Sequence, residues 1–405
     1  MSALNKIIRG DKVIWIVALL LAIISVIVVY SATSARYYGQ TGKVLMKHAA
    51  MLLFGFVMMF GASKINYKRY AKVALLLMIP CLALLLYTLL FGRDINDANR
   101  SISLGGISFQ PSEMAKIILI TYLARQIVMM GDNLQDFKEV IVKLALPILV
   151  TAALIFPENL STAAILVAVC MVLLFVARVK FLHIMAIVGL CVAGMGLYLL
   201  FDAAKTEIGN KRAEKASIEA AAKGEAAMPY VPKKNRIKTW SNRLHAMGES
   251  KEEINPFDDK HMQSTFAKIA VATSSFFGKG PGKSEQRNFL PHPYSDFIYA
   301  IIIEETGVFG LFGVMFLYLL LMWQAMKIAS RCKSRFPSYL VMGLALMIVI
   351  QAMVNMAVAT GAFPVTGQPL PLISRGGTST FVNCAYFGMI LSVSRTAKKK
   401  EERSI

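Results

Sequence analysis

The chain has 405 residues, of which 56% are hydrophobic and 17% are charged. A soluble globular domain cannot bury that much apolar surface, so this composition excludes a soluble enzyme and predicts several membrane spans. The formal net charge of +20 would suit a nucleic-acid-binding protein, but the positions of the basic residues argue against nucleic acid as a partner.

Ten apolar runs follow one another along the chain. Each is near the roughly 20 residues that cross a bilayer, except the eighth, which is longer. The runs cover residues 13–32, 44–63, 71–91, 112–130, 139–156, 159–176, 181–201, 297–326, 338–362 and 379–394. We therefore predict an all-α integral membrane protein with ten transmembrane helices, built as one polytopic domain over residues 1–405.

Basic residues are concentrated in alternate loops, on the side that holds both termini and a basic tail at 395–405. The short loops on the opposite side hold only Arg36, Lys43, Lys47, Arg93, Arg100 and Arg375. By the positive-inside rule, both termini are predicted to be cytoplasmic. The net charge is then mostly a topology signal.

One long loop, residues 202–296, joins the seventh and eighth spans and is predicted to be extracytoplasmic. Its first part, 203–227, is rich in Ala, Glu and Lys, which favours either a polar helix or a mobile insertion. Its second part places Trp240 beside Arg243. That pattern is typical of a helix on the membrane surface, and equally of a solvated helix packed on the protein.

The loop before the fourth span ends in Pro111, Ser112 and Glu113, which predicts a helix start with an acid in its first turn. Lys116 follows three residues later, on the same helix face as Glu113. The two residues predict either a structural ion pair or a cation placed for an anionic substrate. The residues alone leave both alternatives open.

Asp296 stands where a polar stretch meets the eighth apolar run. A carboxylate at the edge of the bilayer is costly unless water, a metal or a cation compensates it. We therefore interpret Asp296 as a residue that takes part in the chemistry of the protein. Glu304 and Glu305 follow in the same run. A continuous helix would carry them roughly 12–13 Å deeper. For these two residues, chemistry and a structural salt bridge are equally favoured.

Two further segments have unusual backbone composition. Residues 278–284, Gly-Lys-Gly-Pro-Gly-Lys-Ser, lack the first glycine and the preceding strand of a phosphate-binding loop. They predict a basic loop that could meet a diphosphate, or a plain turn. Residues 363–379 carry three prolines and three glycines between two spans. Such irregular backbone must be buried in protein or line a cavity, so this segment predicts a pocket wall.

Four motifs together resemble one known family. They are GGISFQPSE at 105–113, SDFIYA at 295–300, PVTGQPLP at 364–371 and GGTS at 376–379. On these motifs the chain is identified as a member of the SEDS family (shape, elongation, division and sporulation), most similar to its division members and then to its elongation members. The family's acidic position at the start of the sixth span falls on Asn159, next to Glu158, and neither is given a role.

The resemblance implies a peptidoglycan glycosyltransferase that polymerises lipid II on the outer face of the bacterial cytoplasmic membrane. It makes Asp296 the catalytic residue and places Glu113 and Lys116 in a polar cavity. We interpret Asp296 as the general base that activates the sugar hydroxyl of the acceptor. The other predicted substrate-binding residues are Arg100, Gln110, Ser112, Arg243 and Arg375, and a divalent cation such as magnesium or manganese is a further candidate for holding the diphosphate.

The implied partners are the growing lipid-linked glycan, a class B penicillin-binding protein that acts as transpeptidase, and other divisome proteins at the division septum. The alternative functions are a flippase for the same lipid-linked precursor and the elongation role within the family. The acid at the outer edge of a span and the lack of internal repeats favour the enzyme over the transporter.

Overall fold

The structure is a computed structural model that describes residues 10–34, 41–91, 93–94, 99–104, 107–222, 262–290 and 293–401. The chain divides into two compact units. One comprises Met1–Ile184 with Pro256–Ile405, and the other comprises Met185–Asn255. The single domain predicted for 1–405 and the basic tail at 395–405 stay predictions.

Helices form most of the described chain. They are α1 (Lys12–Ser34), α2 (Thr41–Lys64), α3 (Tyr67–Phe91), α4 (Pro111–Met130), α5 (Phe137–Val140), α6 (Leu146–Ile155), α7 (Leu160–Val176), α8 (Phe181–Ala222), α9 (Met262–Ala272), α10 (Ile298–Arg331), α11 (Arg335–Ala359) and α12 (Gly377–Glu401). A π-helical stretch joins α5 to α6. Each of the ten predicted apolar runs lies on one or more of these helices.

Within the described residues, seven helical segments are long and apolar enough to cross a membrane: Lys12–Ser34, Thr41–Lys64, Tyr67–Phe91, Pro111–Gln135, Phe181–Lys215, Ile298–Arg331 and Arg335–Ala359. Leu76 and Ile79 on α3 are 75% and 76% exposed, which suits side chains that face lipid and would be costly in water. The chain is therefore a multi-pass membrane protein, as its composition predicts.

Helix α8 extends past the predicted end of the seventh span and continues to Ala222. The residues beyond 201 are mainly Ala, Glu and Lys, which are strong helix formers, so the helix does not stop where the apolar run stops. Of the two alternatives for 203–227, the polar helix is confirmed as far as Ala222. The predicted surface helix around Trp240 and Arg243 lies outside the described residues.

A small antiparallel sheet between α3 and α4 was not predicted. It consists of β1 (Arg93–Asp94), β2 (Asn99–Leu104) and β3 (Ile107–Phe109), in the order β1-β2-β3. Ile102 pairs with Phe109, so β2 and β3 form a hairpin that ends just before α4. The all-α prediction missed it because the hydrophobic runs used to find spans carry no information on pairing in a loop.

Helix α11 is central to the larger unit. It packs against α4, α7, α10 and α12. The contact with α4 is close because Gly343 faces Ile120, where a Cβ atom would lie 2.6 Å from an Ile120 methyl group. Polar residues on α11 are therefore enclosed by protein, and they form the centre of the site described next.

Candidate active site

Asp296 lies in the turn immediately before α10, where it is partly exposed. The Ser295 hydroxyl donates a hydrogen bond to Oδ1 of Asp296 at 2.8 Å. The side-chain amide of Asn355 on α11 donates to the backbone carbonyl of Asp296 at 2.8 Å. The carboxylate is thus held at the start of a helix and keeps access to the surface, as a group that meets a substrate requires.

The segment between α11 and α12 is irregular and largely buried, as its prolines and glycines predict. Its backbone carbonyls accept hydrogen bonds from helix side chains: Gln351 to Pro369 (3.1 Å), Asn355 to Gln368 (2.7 Å), Tyr318 to Pro371 (2.5 Å) and Ser25 to Ile373 (2.7 Å). Unsatisfied carbonyls at membrane depth would cost several kcal/mol each. Much of this backbone is therefore enclosed by protein, and the predicted pocket wall stays a prediction.

This segment also lies directly against Asp296. Gly367 has φ +68°, and a Cβ atom there would lie 3.6 Å from Oδ2 of Asp296. Ser374 Oγ donates to the Ser295 carbonyl at 2.7 Å, and the Arg375 amide donates to the Tyr294 carbonyl at 3.0 Å. The Asp296 turn and residues 366–375 therefore form one structural site.

Arg375 supplies the cationic group of this site. Its guanidinium lies 5.1 Å from the centre of the Tyr294 ring, within the range of a cation–π contact. Tyr294 and Asp296 belong to the same turn. Arg375 therefore contacts the same turn that carries Asp296, through Tyr294, and both residues were predicted to belong to the site.

Glu113 and Lys116 form the predicted ion pair. Lys116 Nζ lies 2.7 Å from Glu113 Oε1, and the two side chains, Lys116 and Glu113, are 0% and 4% exposed. Lys116 Nζ also donates to Gln351 Oε1 at 3.0 Å. Because Gln351 in turn donates to the Pro369 carbonyl, the ion pair is connected to the irregular segment beside Asp296. The geometry supports the structural alternative, and contact with substrate stays a prediction.

The remaining predicted residues are placed less completely. Ser112 is buried in the first turn of α4, and its hydroxyl has no hydrogen-bond partner among the described residues. The backbone amide of Gln110 donates to Thr378 Oγ1 at 3.4 Å. The residue before α4 therefore contacts the GGTS motif at 376–379. For Arg100, the backbone lies in β2 and the side chain is outside what the structure describes. Arg243 is outside the described residues altogether.

Three amide side chains in the site were missed by sequence reasoning. Gln351 and Asn355 stand four residues apart on α11, and Gln368 lies in the irregular segment. Two amides at helical spacing inside an apolar run were the available signal. Gln368 Nε2 donates to Thr162 Oγ1 at 2.8 Å and to Asn159 Oδ1 at 3.3 Å, which gives Asn159 a structural role.

Glu304 and Glu305 are buried by the loop at 278–285. Lys279 Nζ lies 2.9 Å from Glu304 Oε1 and 3.0 Å from Glu285 Oε2. The Ser284 amide donates to Glu305 Oε1 at 3.4 Å. Hydrogen bonds to Glu304 and Glu285 raise the pKa of Lys279 above its ordinary value, so the lysine keeps its charge. The structural alternative for Glu304 and Glu305 is the one that the contacts support.

The helix runs without interruption from Ile298 through Glu304 and Glu305, so the expected depth of roughly 12–13 Å beyond Asp296 stays a prediction, and the break comes only after these acids. Gly307 has φ 59° and ψ −139°, which interrupts α10 directly after Glu305 and Thr306. The amides of Lys279 and Gly280 donate to the carbonyls of Glu304 and Glu305, both at 2.9 Å. The loop thereby satisfies carbonyls that the helix break leaves without helical partners.

Replacing Gly278 with Ala is expected to lower the unfolding temperature of the purified protein by several degrees. Gly278 has φ +75°, and its Cβ atom would lie 2.3 Å from the Glu305 carbonyl oxygen. Strain of this kind costs on the order of 1–3 kcal/mol. The matched control is Gly313→Ala on α10, where a Cβ atom meets nothing within 4 Å. Equal melting temperatures for the two variants would contradict the proposed packing of the loop.

Comparison with known proteins places this geometry in a family. A family profile described as "Cell cycle protein", which groups FtsW, RodA and SpoVE, matches residues 11–399. The chain belongs to this family. Stage V sporulation protein E of Bacillus subtilis is 31% identical over 402 residues, which covers 96% of this chain and 98% of that relative. The FtsW/RodA/SpoVE assignment confirms the SEDS resemblance.

Other relatives of this FtsW/RodA/SpoVE member carry an enzyme name. The "Probable peptidoglycan glycosyltransferase FtsW" of Geobacter sp. is 29% identical over 391 residues, or 95% of this chain and 96% of the relative. A solved structure described as "Structural coordination of polymerization and crosslinking by a peptidoglycan synthase complex" matches with TM-score 0.67 and 25% identity, covering 96% and 98% of the two chains. The predicted enzyme class agrees with these names.

RodA of Thermus thermophilus matches with TM-score 0.62 and 22% identity, over 95% of this chain and 97% of that one. At that identity the match shows a shared fold. The family fold therefore extends over nearly the whole chain, including the segments that build the site around Asp296.

Proposed function

We propose that this protein polymerises lipid II into glycan strands, as a peptidoglycan glycosyltransferase of the division type. The observation that carries the proposal is the Asp296 carboxylate, held by Ser295 and seated against Gly367 in a family whose relatives are named for this activity. A partly exposed carboxylate in a site shaped by buried backbone suits a general base that must reach a hydroxyl group.

In the proposed reaction, the 4-hydroxyl of the acceptor sugar attacks the anomeric carbon of the growing glycan. Asp296 takes the hydroxyl proton as the new carbon–oxygen bond forms, and the lipid diphosphate leaves with the electrons of the bond that breaks. Arg375 contacts the Asp296 turn through the Tyr294 ring and the Tyr294 carbonyl, so its guanidinium is a cation next to that turn. It stabilises negative charge on the leaving diphosphate.

A divalent cation remains part of the proposal. Among the described residues, no group of three or more His, Cys, Asp or Glu side chains could hold a metal ion. Magnesium is often bound by one or two carboxylates together with substrate phosphates, so the ion would be held mainly by the diphosphate. When bound, the ion would neutralise diphosphate charge.

The proposed topology has ten spans, cytoplasmic termini and an extracytoplasmic 202–296 loop, in the bacterial cytoplasmic membrane at the division septum. A cysteine introduced at Ala220 should react with an impermeant maleimide in intact spheroplasts, because that position lies in the outer loop. A cysteine at Lys399 should stay unlabelled, because the charge distribution places the tail inside. Labelling at 399 without labelling at 220 would overturn the topology.

The proposed partner is a class B penicillin-binding protein that cross-links the new strands. Support comes from the similarity to a peptidoglycan synthase complex described as coordinating polymerisation and crosslinking. The alternative function, a lipid II flippase, predicts translocation without polymer. In detergent micelles, where no membrane separates two compartments, the purified protein with its partner should convert lipid II to glycan that moenomycin does not suppress. Absence of glycan would contradict the polymerase proposal.

A further inference from the structure

Asn355 connects the two parts of the candidate site with a single amide group. It lies on α11 and is 1% exposed. Its Nδ2 atom donates to the Asp296 carbonyl at 2.8 Å and to the Gln368 carbonyl at 2.7 Å. We infer that Asn355 is a positioning residue that fixes the Asp296 carboxylate for proton abstraction. This inference rests on the proposed function.

The hydrogen bond from Asn355 to the Asp296 carbonyl holds a residue that lies just before the first turn of α10. At the start of α10 the Ala300 amide donates to the Phe297 carbonyl at 3.0 Å, in a tight turn. Asp296 precedes the N-cap residue Phe297, and its carbonyl accepts the hydrogen bond from Asn355. Because side-chain direction follows the backbone, a fixed carbonyl at residue 296 also limits where its carboxylate can lie.

The second bond fixes the surface that the carboxylate faces. Gln368 follows Gly367, whose Cα carries no side chain and lies next to Oδ2 of Asp296. Since both hydrogens of one amide are used, the Asp296 turn and the Gln368 backbone are held at a set separation. Loss of Asn355 would remove one bond from each segment at once, whereas Gln351 donates to the Pro369 carbonyl and accepts from Lys116.

The side-chain oxygen of Asn355 also supports a positioning role. Oδ1 is buried and has no hydrogen-bond partner among the described residues. Leaving a buried acceptor unsatisfied normally costs about 1–3 kcal/mol. The residue is therefore placed for its two donors, which neither aspartate nor an apolar side chain can supply.

The test compares Asn355→Leu with wild type as purified complexes with the transpeptidase partner. The rate of glycan synthesis at saturating lipid II should fall roughly 10- to 100-fold, because a displacement near 1 Å at a catalytic group has effects of that order. The KM for lipid II should change less than about threefold, since no substrate-binding group is removed. A wild-type rate, or a loss confined to KM, would overturn the positioning role.

A double-mutant cycle separates positioning from general damage. If Asn355 acts through Asp296, then Asn355→Leu added to Asp296→Asn should cause no further loss of rate. Multiplied losses would contradict the inference. If Asp296→Asn itself keeps the wild-type rate, the proposed mechanism fails. If Asp296→Asn is inactive and Asn355→Leu is fully active, only the positioning role fails.

Asn383→Leu serves as the matched control, because Asn383 on α12 is also buried and donates only to Ser379 Oγ, at 3.3 Å, among the described residues. Its rate should stay within about threefold of wild type. Asn355→Ser, which keeps one donor, is used if Asn355→Leu does not give a monodisperse complex. If neither Asn355 variant folds, the residue serves stability and the inference is rejected.

Discussion

Asp296→Asn is expected to reduce glycan polymerisation by at least ~100-fold, because it removes the base and keeps the size and hydrogen-bonding shape of the side chain. Ser295 can still donate to the remaining oxygen, and the backbone bond from Asn355 is unaffected. The variant should therefore express, insert and bind its partner normally. The measurement is the initial rate of polymer formation from lipid II by the purified complex.

Asp296→Glu should also retain little activity, since an added methylene moves the carboxylate by about 1 Å. Oδ2 of Asp296 faces Gly367, where a Cβ atom would stand 3.6 Å away, so the added methylene displaces the carboxylate relative to this backbone. Asp132→Asn, an exposed change in a turn after α4, is the matched control and should keep the wild-type rate. A near wild-type rate for Asp296→Asn would show that Asp296 is not the base.

Lys116→Met is expected to have the second largest effect, on stability as well as on activity. It leaves Glu113 as an uncompensated charge in a buried site, which typically costs about 3–5 kcal/mol. It also removes the hydrogen bond to Gln351, which supports the Pro369 carbonyl. The thermal unfolding of the purified variant, monitored by the onset of aggregation, should begin at a temperature many degrees lower than that of wild type.

The charge swap Glu113→Lys with Lys116→Glu separates two roles of the pair. Opposite charges are restored, so expression should recover. Activity should recover less if the Lys116 cation also serves the anionic substrate, because a carboxylate at 116 would repel it. Lys143→Met, in an exposed pair with Glu139, is the control and should change little. Full recovery of polymerisation by the swap would mean that the pair is only structural.

The bounds of several helices could be predicted closely from hydrophobicity, although α8 runs past its apolar run to Ala222. The first two predicted runs, 13–32 and 44–63, lie within Lys12–Ser34 and Thr41–Lys64. A membrane span needs a fixed length of apolar residues, so length and composition are enough to find it. The break at Gly307 was not predictable in this way. It depends on a loop from a distant part of the chain that meets the carbonyls it exposes.

The site was predicted in part. Charged side chains and irregular backbone have a high free-energy cost at membrane depth unless protein contacts or function compensate them. On this ground the sequence analysis singled out Asp296, the Glu113–Lys116 pair and the segment at 363–379. Gln351 and Asn355 were missed because their partners are backbone carbonyls in another segment. No local periodicity reports which carbonyl a distant amide will meet, so these contacts follow only from the packing of α11.

The most direct test of the central claim is an experimental structure of the Asp296→Asn complex with lipid II bound in both the acceptor and the donor sites. We expect the 4-hydroxyl of the acceptor sugar to lie within hydrogen-bond reach of the side chain at 296, at roughly 2.6–3.2 Å. The diphosphate of the donor site should lie on the side of Arg375. A 4-hydroxyl bound well beyond the reach of residue 296, with another side chain in contact, would contradict Asp296 as the base.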